Sequence, residues 1–157
     1  MKVKLLVTGP TNMKFVEQGF NEFASRLKHY TDFEFIVIPA HKNSGKLEPG
    51  ELKIKEAESI AAKLLPSDFV VLLDEKGAEY TSVEFSAFLQ KRMNSGVKNL
   101  VFVVGGAFGF SEKMYERANS KLSLSKMTFS HQLIRLIFAE QLYRAFTILR
   151  NEKYHNE

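Results

Sequence analysis

The chain of 157 residues contains no cysteine. This absence excludes a disulfide framework, a cysteine metal site and a cysteine nucleophile. No apolar run approaches the ~20 residues of a membrane-spanning helix, and the first eight residues turn polar too soon for a secretory signal. We therefore expect one cytoplasmic domain over residues 1–157, with no membrane partner.

Two other site signatures are missing. The histidines are few, and no two of them have the spacing of metal ligands, so we expect no metal. The glycines form neither the G-x-G-x-x-G dinucleotide fingerprint nor a Walker loop. Metal catalysis and the common nucleotide-binding loops are therefore not predicted.

Charge is distributed unevenly along the chain. Residues 1–80 carry 11 Lys and Arg against 12 Asp and Glu, whereas residues 81–157 carry 11 against 6. A basic C-terminal half attracts a polyanion such as RNA. The pattern is equally compatible with ordinary solvated lysines, so charge alone does not identify the partner.

Hydrophobic periodicity predicts alternating strands and helices. The predicted strands are 3–8, 33–38, 69–74, 100–104 and 121–125. The predicted helices are 14–30, 51–65, one from the Thr81 N-cap to Asn94, a short one after Ser111, and a last one from Ser130 or His131 to about Arg150. This alternation is typical of an α/β protein with a parallel sheet flanked by helices.

The last predicted helix is apolar around most of its circumference, which requires cover on all sides. Its apolar residues are Leu133, Ile134, Leu136, Ile137, Phe138, Leu142, Tyr143, Phe146, Ile148 and Leu149. A homodimer interface would supply that cover. A central helix inside one protomer is the alternative.

Three loops follow predicted strands: 73–77, 105–109 and 124–129. Ligands of open α/β sheets bind at the carboxyl ends of the strands, so these loops are the candidate site. The double glycine Gly105-Gly106 allows a ligand to approach the backbone closely. A simple tight turn is the alternative interpretation of that pair.

Several blocks together resemble one known family. They are Leu73-Asp74 with Gly77, Gly105-Gly106 with Gly109, the run 122–131, Arg135, the run 140–145 and the closing Tyr154-His155. In order and spacing the whole chain resembles the RlmH-type (YbeA) enzymes of the SPOUT superfamily, which methylate N3 of a pseudouridine in 23S rRNA. Ser130, Phe110 and Asn156 depart from the family pattern.

The resemblance implies a SPOUT-type parallel sheet whose C-terminal part forms a deep trefoil knot. It implies a homodimer that uses S-adenosyl-L-methionine (SAM) and acts on 23S rRNA in the assembled 70S ribosome, not on DNA. The residues it assigns to the cofactor are Leu73, Gly105, Leu124, Ser125, Lys126, Met127, Thr128 and Phe129.

Methylation at N3 requires removal of the imide proton, for which a neutral histidine is suited. His155, on a tail expected to be mobile, is the first candidate for this base, and His131 is the second. Tyr154 is a candidate to stack on the target base, and Arg144 to hold the tail or stabilise the imidate oxygen. Two alternatives stay open: a SPOUT enzyme acting on tRNA, and a non-catalytic nucleotide- or ribosome-binding module.

Overall fold

A computed structural model describes residues 1–156, and Glu157 lies outside the described residues. The strands are β1 (Lys2–Thr8), β2 (Asp32–Ile38), β3 (Phe69–Glu79), β4 (Asn99–Val104) and β5 (Ser120–Ser123). The helices are α1 (Lys14–Leu27), α2 (Pro49–Ala61), α3 (Ser82–Asn94), α4 (Glu112–Arg117) and α5 (Leu133–Leu149), with a 3₁₀ turn at Ser44–Lys46.

The five strands form one parallel sheet in the order β2-β1-β4-β3-β5. Its central strands are continuous apolar runs, as expected of strands covered on both faces. The predicted α/β class and the parallel sheet flanked by helices are confirmed, while the trefoil knot stays a prediction. Because β4, β3 and β5 are neighbours, residues 73–77, which lie inside β3 and not in a loop after it, meet the loops that follow β4 and β5.

The sheet divides the core into two layers. One face of β1, represented by Val3 and Leu5, packs in a cluster with residues of α1, α3 and α5. The opposite face, represented by Leu6, packs in a second cluster with residues of α2 and α4. The period-2 alternation of side chains along a strand explains how one strand serves both layers.

The most informative boundary difference is at β3, which continues to Glu79 instead of ending at residue 74. Its pairing with β5 is irregular: Leu73 and Ala78 both lie opposite Leu122. The intervening residues bulge out of the ladder and the strand then pairs again, which an apolar-run prediction cannot detect. Helix α3 begins as predicted, with a complete Thr81–Glu84 capping box.

Helix α5 packs against α1 and α3. Its residues Phe138, Ala139, Leu142 and Ala145 are fully buried within the protomer. Other apolar residues of the helix are only half-buried: Leu133, Ile134, Leu136, Ile137, Ile148 and Leu149. Within the single protomer, therefore, α5 is covered on one side only. Across residues 1–156, no helix has the length and apolarity needed to cross a membrane.

Candidate functional site

A cleft of about 1140 Å³ lies beside the irregular middle of β3, where the neighbouring strands β4 and β5 end. Seven of the residues predicted to bind the methyl donor line it: Leu73, Gly105, Leu124, Ser125, Met127, Thr128 and Phe129. Lys126, the eighth, is exposed and is not among the lining residues. The structure thus brings all three segments predicted as loops together around one cavity.

The glycines in the turn after β4 let other groups approach its backbone closely. Gly106 and Gly109 form an isolated bridge, and Gly109 has a φ of 77°, which favours glycine. A Cβ on Gly106 would lie 2.6 Å from Oε1 of Glu56. This turn therefore places bare backbone against both the cleft and α2.

Hydrogen bonds tie the middle of β3 to two other walls of the cleft. The Tyr115 hydroxyl of α4 donates to Asp74 at 2.5 Å, and the Thr128 hydroxyl donates to Glu75 at 2.5 Å. Burial, followed by the bond to Asp74, raises the pKa of Tyr115 to about 12. Tyr115 therefore stays protonated and donates at neutral pH.

The loop between β5 and α5 is held by its own serines. Ser125 Oγ accepts from the Met127 amide at 2.9 Å, and Ser123 Oγ donates to the Ser125 carbonyl at 2.8 Å. Ser130 Oγ accepts from the Leu133 amide at 3.1 Å. Ser130, which departs from the family pattern, therefore gives the amide of the first residue of α5 a hydrogen-bond acceptor.

His131 is the one catalytic candidate that lines the cleft of its own protomer. Desolvation, followed by the nearby charge of Arg135, lowers the pKa of His131 below its ordinary value. The imidazole is therefore neutral at physiological pH, as a proton acceptor must be.

Arg135 is the largest fully buried side chain, with 1% exposure. It donates to the carbonyls of Thr8 and Gly9 at 3.0 Å, to Thr11 Oγ1 at 2.9 Å and to the His131 carbonyl at 2.9 Å. It forms no ion pair with the described residues. Arg135 thus ties α5 to the end of β1 through neutral acceptors alone.

The other three catalytic candidates meet at the far end of α5. Arg144 pairs with Glu140 at 2.6 Å and contacts His155 Nδ1 at 3.3 Å, and the Tyr154 hydroxyl donates to Glu140 at 3.0 Å. Eleven residue steps of α5 separate Leu133, at its start, from Arg144, which is roughly 17 Å at 1.5 Å per residue. Within one protomer, this cluster does not line the cleft.

The C-terminal tail, expected to be mobile, is folded back against α5. Asn151 adopts a left-handed φ of 55°, which ends the helix and reverses the chain. Tyr30 donates to Glu152, and the guanidinium of Arg150 lies 4.3 Å from the centre of the Tyr30 ring. The tail is therefore pinned in place by residues that follow α1.

Glu56 is a residue near the site that the sequence interpretation missed. It is 9% exposed, its carboxylate lies against Gly106, and it accepts no hydrogen bond from the described residues. Burial raises the pKa of Glu56, and the charge of His41 opposes this shift. The sequence could have identified Glu56 as buried, because it lies at helical spacing between Leu52 and Ile60 in the apolar stripe of α2.

We expect Glu56→Gln to stabilise the protein at neutral pH by about 1 kcal/mol, because it removes a charge that burial disfavours. Because the pKa of Glu56 is raised in the folded state, the wild-type protein is most stable with respect to this group below the ordinary value of 4.5. It loses stability as the pH rises and Glu56 ionises. The advantage of the variant should therefore shrink towards pH 4. Thermal unfolding between pH 4 and 8 measures this, with exposed Glu58→Gln as the control; a pH-independent difference would contradict the assignment.

Within residues 1–156, no three histidine, aspartate or glutamate side chains cluster as a metal site would require. The polar groups around the cleft are instead backbone amides, hydroxyls, carboxylates, three lysines and His131. The fold and the cleft thus define an α/β protein with a cleft formed by three adjacent parallel strands, which is where open parallel sheets bind their ligands.

Comparison with known proteins identifies the family. Residues 1–155 match the family described as "Predicted SPOUT methyltransferase". The chain is 54% identical, over 99% of both chains, to the Ribosomal RNA large subunit methyltransferase H of Christiangramia forsetii, and 55% identical, over the whole of both, to that of Parabacteroides distasonis. The chain belongs to the SPOUT methyltransferase family.

Solved structures agree with this fold. A probable methyltransferase from Bordetella pertussis matches 92% of this chain and 95% of its own, with a TM-score of 0.55 and 13% identity. A probable methylase family protein from Haemophilus influenzae matches 97% of this chain and 67% of its own, with a TM-score of 0.52 and 12% identity. At these identities the likeness concerns the fold alone.

Proposed function

We propose that the protein is a homodimeric, SAM-dependent methyltransferase that methylates N3 of a pseudouridine in 23S rRNA within the assembled 70S ribosome. The observation that carries this proposal is the convergence of the three segments predicted as loops on one cleft. The names of the relatives, which are large-subunit rRNA methyltransferases, support the substrate class. The pseudouridine and its N3 position rest on the family resemblance.

The cleft has the features that a SAM site needs. Ser111 Oγ is buried in its wall without a hydrogen-bond partner among the described residues, so a polar group of a ligand could pair with it. Leu73, Gly105 and residues 124–129 would hold the cofactor. When bound, SAM supplies a methyl group on a cationic sulfur, so the protein's main task is to align the nucleophile with it.

Two histidines are candidates for the base that removes the proton from the imide nitrogen. His131 lies at the cleft and is neutral at physiological pH. His155 receives a hydrogen bond on Nδ1 from Arg144, since a guanidinium can only donate. In that arrangement the neutral His155 ring carries its proton on Nε2. To accept the imide proton, His155 must therefore release the Arg144 contact.

A second copy of the chain would bring the tail of one protomer close to the cleft of the other. The half-buried apolar side of α5 offers a surface on which a copy can pack. If the two α5 helices cross with opposite polarity, the tail of each protomer approaches the cleft of the other. Tyr154, His155 and Arg144 would then act beside a methyl donor bound by the partner subunit.

Methyl transfer to ribosomes tests the proposal. We expect purified protein and labelled SAM to modify a single nucleotide of 23S rRNA in intact 70S ribosomes, with much lower incorporation into free rRNA. Mass spectrometry of nuclease fragments identifies the base, and tRNA serves as the competing substrate. Methylation of tRNA alone would support the other SPOUT activity, and SAM binding without transfer to any RNA would support a non-catalytic module.

A further inference from the structure

One aromatic side chain at the cleft remains without a role in the proposed mechanism. Phe108 is 52% exposed and lies in the turn between Gly105 and Gly109, where it lines the cleft. Met127, from the loop before α5, also lines the cleft and is 77% exposed. Exposed apolar groups grouped at a cleft commonly mark a binding surface.

The cleft has room for a second occupant. Its volume of about 1140 Å³ exceeds the range of roughly 300–1000 Å³ found for pockets that enclose one small molecule. Among the predicted methyl-donor residues, Leu73, Gly105 and Leu124 are half-buried or buried, whereas Met127 and Thr128 are exposed, as is Phe108. A cofactor held at Leu73, Gly105 and Leu124 therefore leaves the outer part of the cleft, where Phe108 lies, open to a second ligand.

Lysine side chains around the cleft can contact the phosphates of an RNA strand. Lys53, Lys76 and Lys113 line it, and none of them forms an ion pair with the described residues. Three carboxylates line the cleft as well, Asp74, Glu75 and Glu112, and the first two accept hydrogen bonds from the protein's own hydroxyls. Because no carboxylate of the described residues pairs with the three lysines, their ammonium groups can contact the phosphates of an RNA, which positions the RNA without reading its sequence.

We propose that Phe108 is the side chain on which the target nucleobase stacks. The ligand class is an unpaired base of an RNA, splayed out of its stack so that it reaches the methyl donor. This inference rests on the proposed function and assigns the base-binding part of the same cleft. The turn between Gly105 and Gly109 would thus contact both ligands: Gly105 the cofactor and Phe108 the base.

The test compares Phe108→Ala with Phe108→Trp. Stacking on an aromatic side chain is a sequence-tolerant contact whose loss weakens binding about five- to 150-fold. We expect Phe108→Ala to lower kcat/KM for ribosomes within that range, with the Kd for SAM unchanged, and Phe108→Trp to restore most of it. Phe15→Ala, which removes an exposed aromatic that does not line the cleft, is the matched control.

A second measurement needs no turnover. A short single-stranded RNA containing 2-aminopurine should lose fluorescence on binding the wild-type protein with SAM, and should lose much less with Phe108→Ala. Wild-type activity in Phe108→Ala, an equal loss in Phe15→Ala, or dissociation of the oligomer in Phe108→Ala would overturn the assignment. If the wild type modifies no RNA, the proposed function fails, and the fluorescence difference alone then decides the role of Phe108.

Discussion

Replacing His155 with alanine is expected to lower methyl transfer to ribosomes by about 10²- to 10⁴-fold, the usual contribution of a general acid or base. The Kd for SAM should stay nearly unchanged, because His155 lies with Arg144 at the far end of α5 and does not line the cleft of its own protomer. Deleting residues 154–157 should have the same effect. Single-turnover transfer and calorimetry measure the two quantities separately.

His131→Ala provides the contrast, and His29→Ala is the control. Because His131 lines the cleft, its loss should weaken SAM binding as well as turnover, whereas exposed His29 should change neither. Mixing His155→Ala with a variant disabled at Gly105 should restore some activity if a tail acts on the cleft of its partner. Normal turnover in the tail deletion would remove the tail from the mechanism.

Gly77→Ala is expected to destabilise the protein by about 1–3 kcal/mol or more, the usual cost of inserting a methyl group into a packed site. A Cβ at Gly77 would lie 2.7 Å from the backbone nitrogen and carbonyl carbon of Leu122. Backbone cannot rotate away as a side chain can, so β3 and β5 must separate. SAM binding should weaken with stability, since Leu122 and Leu124 line the cleft.

Gly45→Ala is the matched control for this substitution. A Cβ at Gly45 meets nothing within 4 Å, and the residue is exposed in the short 3₁₀ turn. Differential scanning calorimetry of the two variants, with and without SAM, gives stability and ligand-induced stabilisation together. Equal melting temperatures for the two variants would show that the junction of β3 and β5 tolerates the added methyl group.

Much of the fold follows from local pattern. Continuous apolar runs at residues 69–73 and 100–104 predict buried parallel strands, and the structure has both. The Thr81 capping box predicts the start of α3. These features depend on residues close in sequence, so the sequence alone predicts them. Strand order and the bulge of β3 depend on residues distant in sequence, so local patterns do not predict them.

The candidate site was predictable to the extent that it depends on strand ends. The segments at Leu73, Gly105 and Met127 converge because β3, β4 and β5 are neighbours in one parallel sheet. The buried carboxylate of Glu56 was not predicted, since its pattern is that of an ordinary helix. The position of the tail was also not predicted, because it depends on the pairing of Tyr30 with Glu152.

The buried guanidinium of Arg135 has a consequence for how the chain matures. Its acceptors on Thr8, Gly9 and Thr11 are separated from it by more than 120 residues, so the end of the first strand lacks these partners until nearly the whole polypeptide has been synthesised. Such long-range contacts form late and slowly. The carboxyl end of β1 therefore forms its hydrogen bonds to Arg135 only after most of the chain has been translated. A chain truncated before α5 lacks Arg135 and should not form these hydrogen bonds at all.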